Sequence, residues 1–154
     1  GGDDERWIGK NQRTGIKRSL ILVKSDKWIV KSQQMSSISS YKDLLIWKKG
    51  IVIVVKVYQL TKAFPSEELY ALTNQIKRAS VSIPSNIAEG YGRNTDKSFS
   101  HFIDISRGSL CELETQLIIA KELGFIVNFE LYNEILELIT EESKMINAFS
   151  KSLK

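Results

Sequence analysis

The chain has 154 residues, 42% of them hydrophobic, enough for a single domain built around one core. No apolar run approaches the ~20 residues of a membrane-spanning helix, and a single cysteine, Cys111, excludes an internal disulfide and fits a reducing cytoplasm. The net charge of +4 invites a nucleic-acid reading, but residues 1–34 already supply it, with 8 Lys/Arg against 4 Asp/Glu.

Residues 35–154 hold 14 basic and 14 acidic side chains, so this part is neutral overall. Its charge is nonetheless polarised. Residues 35–107 carry 10 basic against 6 acidic groups (+4), and residues 108–154 carry 4 against 8 (−4).

In chain order, residues 1–34 come first and show no sustained helical period. They alternate basic residues with short apolar pieces, LILV (Leu20 to Val23) and WIV (Trp28 to Val30). Met35, between Gln34 and Ser36, is the expected start of the folded domain. Residues 1–34 are therefore expected to be translated upstream sequence or a cloning remnant outside the fold, and residues 35–154 the domain itself.

Four segments of helical period follow. The first places Leu44, Trp47, Ile51, Val54 and Tyr58 on one stripe. Its run IVIVVKV, Ile51 to Val57, is β-branched and suits a strand by propensity, but the 3-4 spacing runs through it and predicts a helix. The second stripe is Leu69, Leu72, Ile76, Ala79 and Ile83. The third is Phe99, Ile103, Ser106, Leu110, Leu113, Leu117 and Ala120. The fourth is Ile135, Leu138, Met145 and Phe149, with Glu142 occupying one step. Such stripes are the seams of bundle packing. Pro65-Ser66-Glu67-Glu68 predicts the start of the second helix, Asn94-Thr95-Asp96 the caps of the third, Gly124 its C-terminal turn, and Asn128 the cap of the fourth. Short links make consecutive helices antiparallel neighbours. The expected fold is all-α.

Between the second and third helices lies RASVSIPSNIAEGYGR, Arg78 to Arg93. A phosphate-cradling glycine loop follows a strand and opens a helix. Here Gly90 and Gly92 follow a helix and no Lys-Ser or Lys-Thr comes after, so they predict a helix end, with Gly90 in a left-handed turn. Pro84 predicts a kink near Ile83, with Ser80, Ser82 and Ser85 serving the freed backbone groups.

These residues also resemble a known family. Phe64-Pro65, Leu72-Thr73-Asn74-Gln75-Ile76-Lys77-Arg78-Ala79 and Ser82-Ile83-Pro84-Ser85-Asn86-Ile87-Ala88-Glu89-Gly90-Tyr91-Gly92-Arg93 form one signature. Arg107-Gly108-Ser109-Leu110, Glu112-Leu113-Glu114-Thr115-Gln116-Leu117 and Ala120-Lys121-Glu122-Leu123-Gly124 form a second, and Tyr41-Lys42-Asp43-Leu44 with Trp47 opens the match. Together they closely resemble the four-helix bundle proteins also called intervening-sequence proteins, encoded inside insertions of large-subunit ribosomal RNA. The resemblance runs from about Tyr41 to Leu153. It implies a left-handed up-down-up-down antiparallel bundle that assembles as a ring, typically a homopentamer. A relative, the accessory variability protein of diversity-generating retroelements, works with a reverse transcriptase and its RNA, so kinship implies RNA, DNA or such an enzyme as a partner.

Two roles are open for the charged signature residues. Lys77, Arg78, Arg93, Lys97 and Arg107 could form a basic surface at the corner of helices two and three that contacts phosphates. Alternatively, Arg78 and Arg107 pair with signature glutamates such as Glu89, Glu112 and Glu114 to fix register between helices or subunits. Lys48 and Lys49 suit a solvated face, and Gln75 and Asn86 suit register-setting hydrogen bonds inside the bundle.

No catalytic constellation is legible. Glu112 and Glu114 fall on different helix faces, and His101 is preceded at three by Ser98, so the Glu-x-x-His di-iron pattern is missing. Cys111 is expected to be a buried structural residue and Ser106 a close-packing one. No metal, cofactor or small-molecule substrate is implied. The expected function is a non-catalytic oligomeric adaptor that binds structured nucleic acid or a nucleic-acid enzyme; the alternative is a structural scaffold without a nucleic-acid role.

Overall fold

The structure, a computed structural model, describes residues 38–153 together with the backbone of residues 5–8, 20–25 and 28–29. Four helices make the bundle: α1 (Leu45–Thr61), α2 (Leu72–Gly92), α3 (Asp96–Glu122) and α4 (Phe129–Ser152). Ahead of them, three short strands (Glu5–Ile8, Leu20–Ser25 and Trp28–Ile29) pair antiparallel in sequence order. The LILV and WI pieces thus lie in strands, which accounts for their lack of helical period.

Local chemistry sets most helix ends. Before α1, the Asp43 carboxylate accepts from the Ser39 and Ser40 N–H groups at 2.9 and 3.0 Å. These backbone donors, Ser39 first, hold the Asp43 carboxyl below its usual range. Thr95 caps α3 by accepting from the Ser98 N–H, and Asn128 caps α4 by accepting from that of Leu131. At the far end of α3, Gly124 takes φ +78° while its N–H donates to the Lys121 carbonyl and that of Phe125 to Ala120, a Schellman turn.

The start of α2 differs from expectation. Ser66–Glu68 forms only a 3₁₀ turn, and the helix proper opens at Leu72, whose N–H donates to the Glu68 carboxylate at 3.2 Å. Leu69, placed on the inward stripe by its spacing, falls ahead of the helix and is exposed.

All seven predicted stripe positions of α3 are buried. In α4 the inward row is Tyr132, Ile135, Ile139, Glu142, Ile146 and Phe149, with Leu138 and Met145 half-buried beside it. The α1 stripe is rotated by one residue. Ile46, Gly50, Ile53, Val57 and Leu60 face the core, whereas Ile51 and Tyr58 face out and Trp47 and Val54 are half-buried. IVIVVKV is apolar on every side, so periodicity cannot choose its face. Gly50 chooses it, because a Cβ there would stand 3.2 Å from the Pro84 Cβ of α2.

α2 continues as a helix on both sides of Pro84 to Gly92. Ser80 donates to the Lys77 carbonyl, and Ser82 accepts from Asn86 and Ser109. The hydroxyl that reaches backbone beside Pro84 comes instead from α3, where buried Ser106 donates to the Ile83 carbonyl at 2.9 Å. Ser106→Ala is expected to cost about 1 kcal/mol, read as a lower urea midpoint with an unchanged slope.

Gly90 is not a left-handed turn. It lies inside α2, where a Cβ would come within 2.7 Å of the Phe102 Cβ and the Phe99 Cδ2. The left-handed residue between α2 and α3 is Asn94, at φ 61°.

Candidate nucleic-acid interface

The five predicted cations do not converge. Lys77 and Arg78 sit in the first turns of α2 and Arg93 just past its end, about 24 Å away at 1.5 Å per residue. Lys97 opens α3, and Arg107 lies midway along it, near the level of Ser82.

Most of these cations are already engaged. The Lys77 ammonium stands 4.9 Å from the centre of the Tyr58 ring on α1. Arg93 pairs with Glu89 one turn earlier, and its guanidinium lies 5.1 Å from the centre of the Phe102 ring. Arg107 pairs with Asp104 at 2.7 Å. Both arginine ion pairs are made within one helical stretch, so neither ion pair joins helices of the protomer, although the Arg93 guanidinium itself reaches the Phe102 ring of α3. Among the described residues, exposed Arg78 and Lys97 take part in no ion pair.

The pairs that do join helices were not among the predicted ones. Lys49 reaches Glu141 and Lys56 reaches Glu134, each at 2.7 Å, between α1 and α4. As the residue number rises on α1 it falls on α4, so these two helices run in opposite directions. Part of the charge polarisation is therefore spent inside the protomer, and Lys49 is a clamp rather than a solvated residue. A ladder of opposite charges seven residues apart was visible in both segments, but matching them required the helix rotations.

The uncharged signature residues divide. Asn86 donates to the Ser82 carbonyl at 2.7 Å and to its hydroxyl at 2.8 Å, and Ser109 of α3 donates to the same hydroxyl at 2.8 Å. This chain ties α2 to α3. Gln75 is exposed and lies outside the bundle interior. Glu112 accepts from Gln116 one turn on at 3.0 Å, and half-buried Glu114 lines a shallow hollow between α3 and α4. Cys111, expected to be buried, is exposed.

Two features had little or no sequence signal. Glu142 is fully buried, and neither carboxylate oxygen has a hydrogen-bond partner among the described residues. Burial pushes its carboxyl well above the usual range, against the opposing pull of Lys49. The second is an apolar band on the outside of α1 and α2. Ile51, Val55, Tyr58 and Val81 are 38 to 51% exposed. Beside them Trp47, Val54 and Pro84 line an open groove of about 270 Å³.

Among the described residues no helix is long and apolar enough to cross a membrane. Residues 42–148 match the model of a protein family described as 23S rRNA-intervening sequence protein. The fold is similar to the crystal structure of a protein of unknown function from the S23 ribosomal protein family of Bacteroides thetaiotaomicron. The two are 24% identical with a TM-score of 0.63, over 70% of this chain and 99% of that one. No curated protein matches the chain.

Proposed function

Because the chain belongs to the 23S rRNA-intervening sequence protein family, we propose that it works without catalysis, as an oligomeric adaptor that binds structured nucleic acid or an enzyme acting on it. The observation that carries this reading is the uncovered apolar band of α1 and α2. A bundle that already closes a core of its own gains nothing from leaving Ile51, Val55, Tyr58 and Val81 in water unless another surface covers them. Copies of the chain are the proposed cover, in a ring of the homopentameric kind.

Assembly then supplies what one protomer lacks. Arg78 and Lys97 are weak phosphate contacts singly, but each recurs once per copy, and linked weak contacts add by avidity. The half-engaged Lys77, Arg93 and Arg107 would lend support around them. A scaffold with no nucleic-acid role is the second reading, favoured by the neutralisation of Lys49, Lys56, Arg93 and Arg107 inside the protomer.

Sedimentation velocity of the full chain, with fluorescence anisotropy on an RNA hairpin and a DNA duplex across a salt series, separates these readings. The proposal expects an oligomer that Val55→Asp/Tyr58→Asp reduces to monomers. It also expects binding that weakens steeply with salt and falls about tenfold in Arg78→Glu/Lys97→Glu. Because residues 1–34 add +4 of their own, the charge variant decides whether the bundle contributes. Oligomers whose binding the variant leaves unchanged support the scaffold, and a monomeric wild type refutes assembly.

A further inference from the structure

The links α1–α2 and α3–α4 lie at one end of the bundle, joined by the Phe64 and Phe125 rings at 5.9 Å. This end holds the three most exposed large apolar side chains among the described residues: Tyr70 at 89%, Val127 at 73% and Leu123 at 57%. Leu69 and Phe129, about half exposed, stand in or beside the same links. Helix ends normally turn polar side chains to water, and turns carry Gly, Asn, Asp and Ser. Apolar groups gathered there mark an interaction surface.

Its charge is acidic. Exposed Glu67, Glu122 and Glu130 lie in or beside the same two links. The lysines nearby, Lys62 and Lys121 (the latter 5.8 Å from the centre of the Tyr132 ring), are outnumbered by the three exposed glutamates. The Tyr132 phenol feels the same field: burial first, then Glu122 and Glu114, push it up.

We propose that this bundle end docks a basic, apolar segment of a partner protein, whose apolar side chains cover Tyr70, Val127 and Leu123 while its cations meet Glu67, Glu122 and Glu130. The acidic rim argues against the two rival occupants. An anionic membrane surface would be repelled, and a second copy placed end to end would oppose glutamate with glutamate. The proposal is independent of nucleic-acid binding, because it uses none of the cations invoked for that role.

The test is fluorescence anisotropy of the full chain with two labelled peptides, an amphipathic Leu/Lys helix and its Leu/Glu counterpart. The Leu/Lys peptide should bind and the Leu/Glu peptide should not. Tyr70→Ser/Val127→Ser and, separately, Glu122→Lys/Glu130→Lys should each loosen binding at least about tenfold. All four positions are exposed, so circular dichroism should show the fold intact in both variants. Failure of the Leu/Lys peptide to bind, equal binding of both peptides, or binding that neither variant changes would overturn the proposal. A drop in oligomer mass in Tyr70→Ser/Val127→Ser would overturn it too, by giving the surface to a second copy.

Discussion

Gly90→Val is expected to lower stability by about 3 kcal/mol, although Gly is ordinarily a poor helix residue. In an open helix interior, replacing Gly gains up to about 1 kcal/mol. Here the new Cβ would stand 2.7 Å from two atoms of α3, the Phe102 Cβ and the Phe99 Cδ2. Phe99 has no free volume to yield. It is fully buried, with its ring edge-on to Phe149 at 5.3 Å and to Tyr91 at 6.2 Å. Overpacking of this kind costs about 1–3 kcal/mol, occasionally more, and valine adds two further methyl groups. Gly92→Ala supplies the control, because nothing lies within 4 Å of a Cβ at Gly92. Urea unfolding should show the first variant's midpoint falling and the second's holding or rising. Equal midpoints for Gly90→Val and wild type would mean that α2 and α3 are not locked at this crossing.

The second large effect is pH-dependent and comes from Glu142. A buried carboxyl with no hydrogen-bond partner among the described residues is held neutral by burial, so its folded pKa lies well above its unfolded one. The folded state then binds the proton that the unfolded state releases. The stability tied to that proton is fully present below the unfolded carboxylate range. It falls as pH rises, by at most about 1.4 kcal/mol per pH unit, until the folded group itself ionises. Glu142→Leu removes both the proton linkage and an unsatisfied polar group. It should stabilise the bundle by about 2 kcal/mol near neutral pH and flatten its decline between pH 5 and 8. Urea midpoints measured across that range test it. Parallel wild-type and variant curves would refute a buried neutral acid. Lys49, the charged group that acts on Glu142, and its partner Glu141 remain in the variant, so the change in slope reports Glu142.

Helix number, order and most caps were readable because each rests on local chemistry. The α3 stripe was legible to the residue, since the 3-4 step runs unbroken from Phe99 to Ala120 even though Phe102, Ile105, Ile118 and Ile119 add apolar side chains off it. α1 was not, because IVIVVKV offers an apolar side in every direction and only the contact of Gly50 with Pro84 selects one. The meaning of Gly90 was hidden for a related reason: glycine serves both left-handed turns and close approach, and sequence alone does not separate them. Of the candidate site, residue types were legible but their availability was not. Arg93 and Arg107 find carboxylates within four residues, a helical neighbour relation that could have been read from Glu89 and Asp104. Lys49 and Glu141 lie 92 residues apart, and no local pattern connects them.

That separation also sets a timetable. During synthesis Lys49 and Lys56 emerge long before Glu141 and Glu134, and at about 5–20 residues per second the delay is roughly 4–18 s. Throughout that interval the flank of α1 destined for α4 has no native partner on the ribosome, although α2 and then α3 can already dock. The nascent protein therefore passes through a three-helix stage with one side of its core open, and it is at that stage that chaperones, or another nascent copy, would meet it.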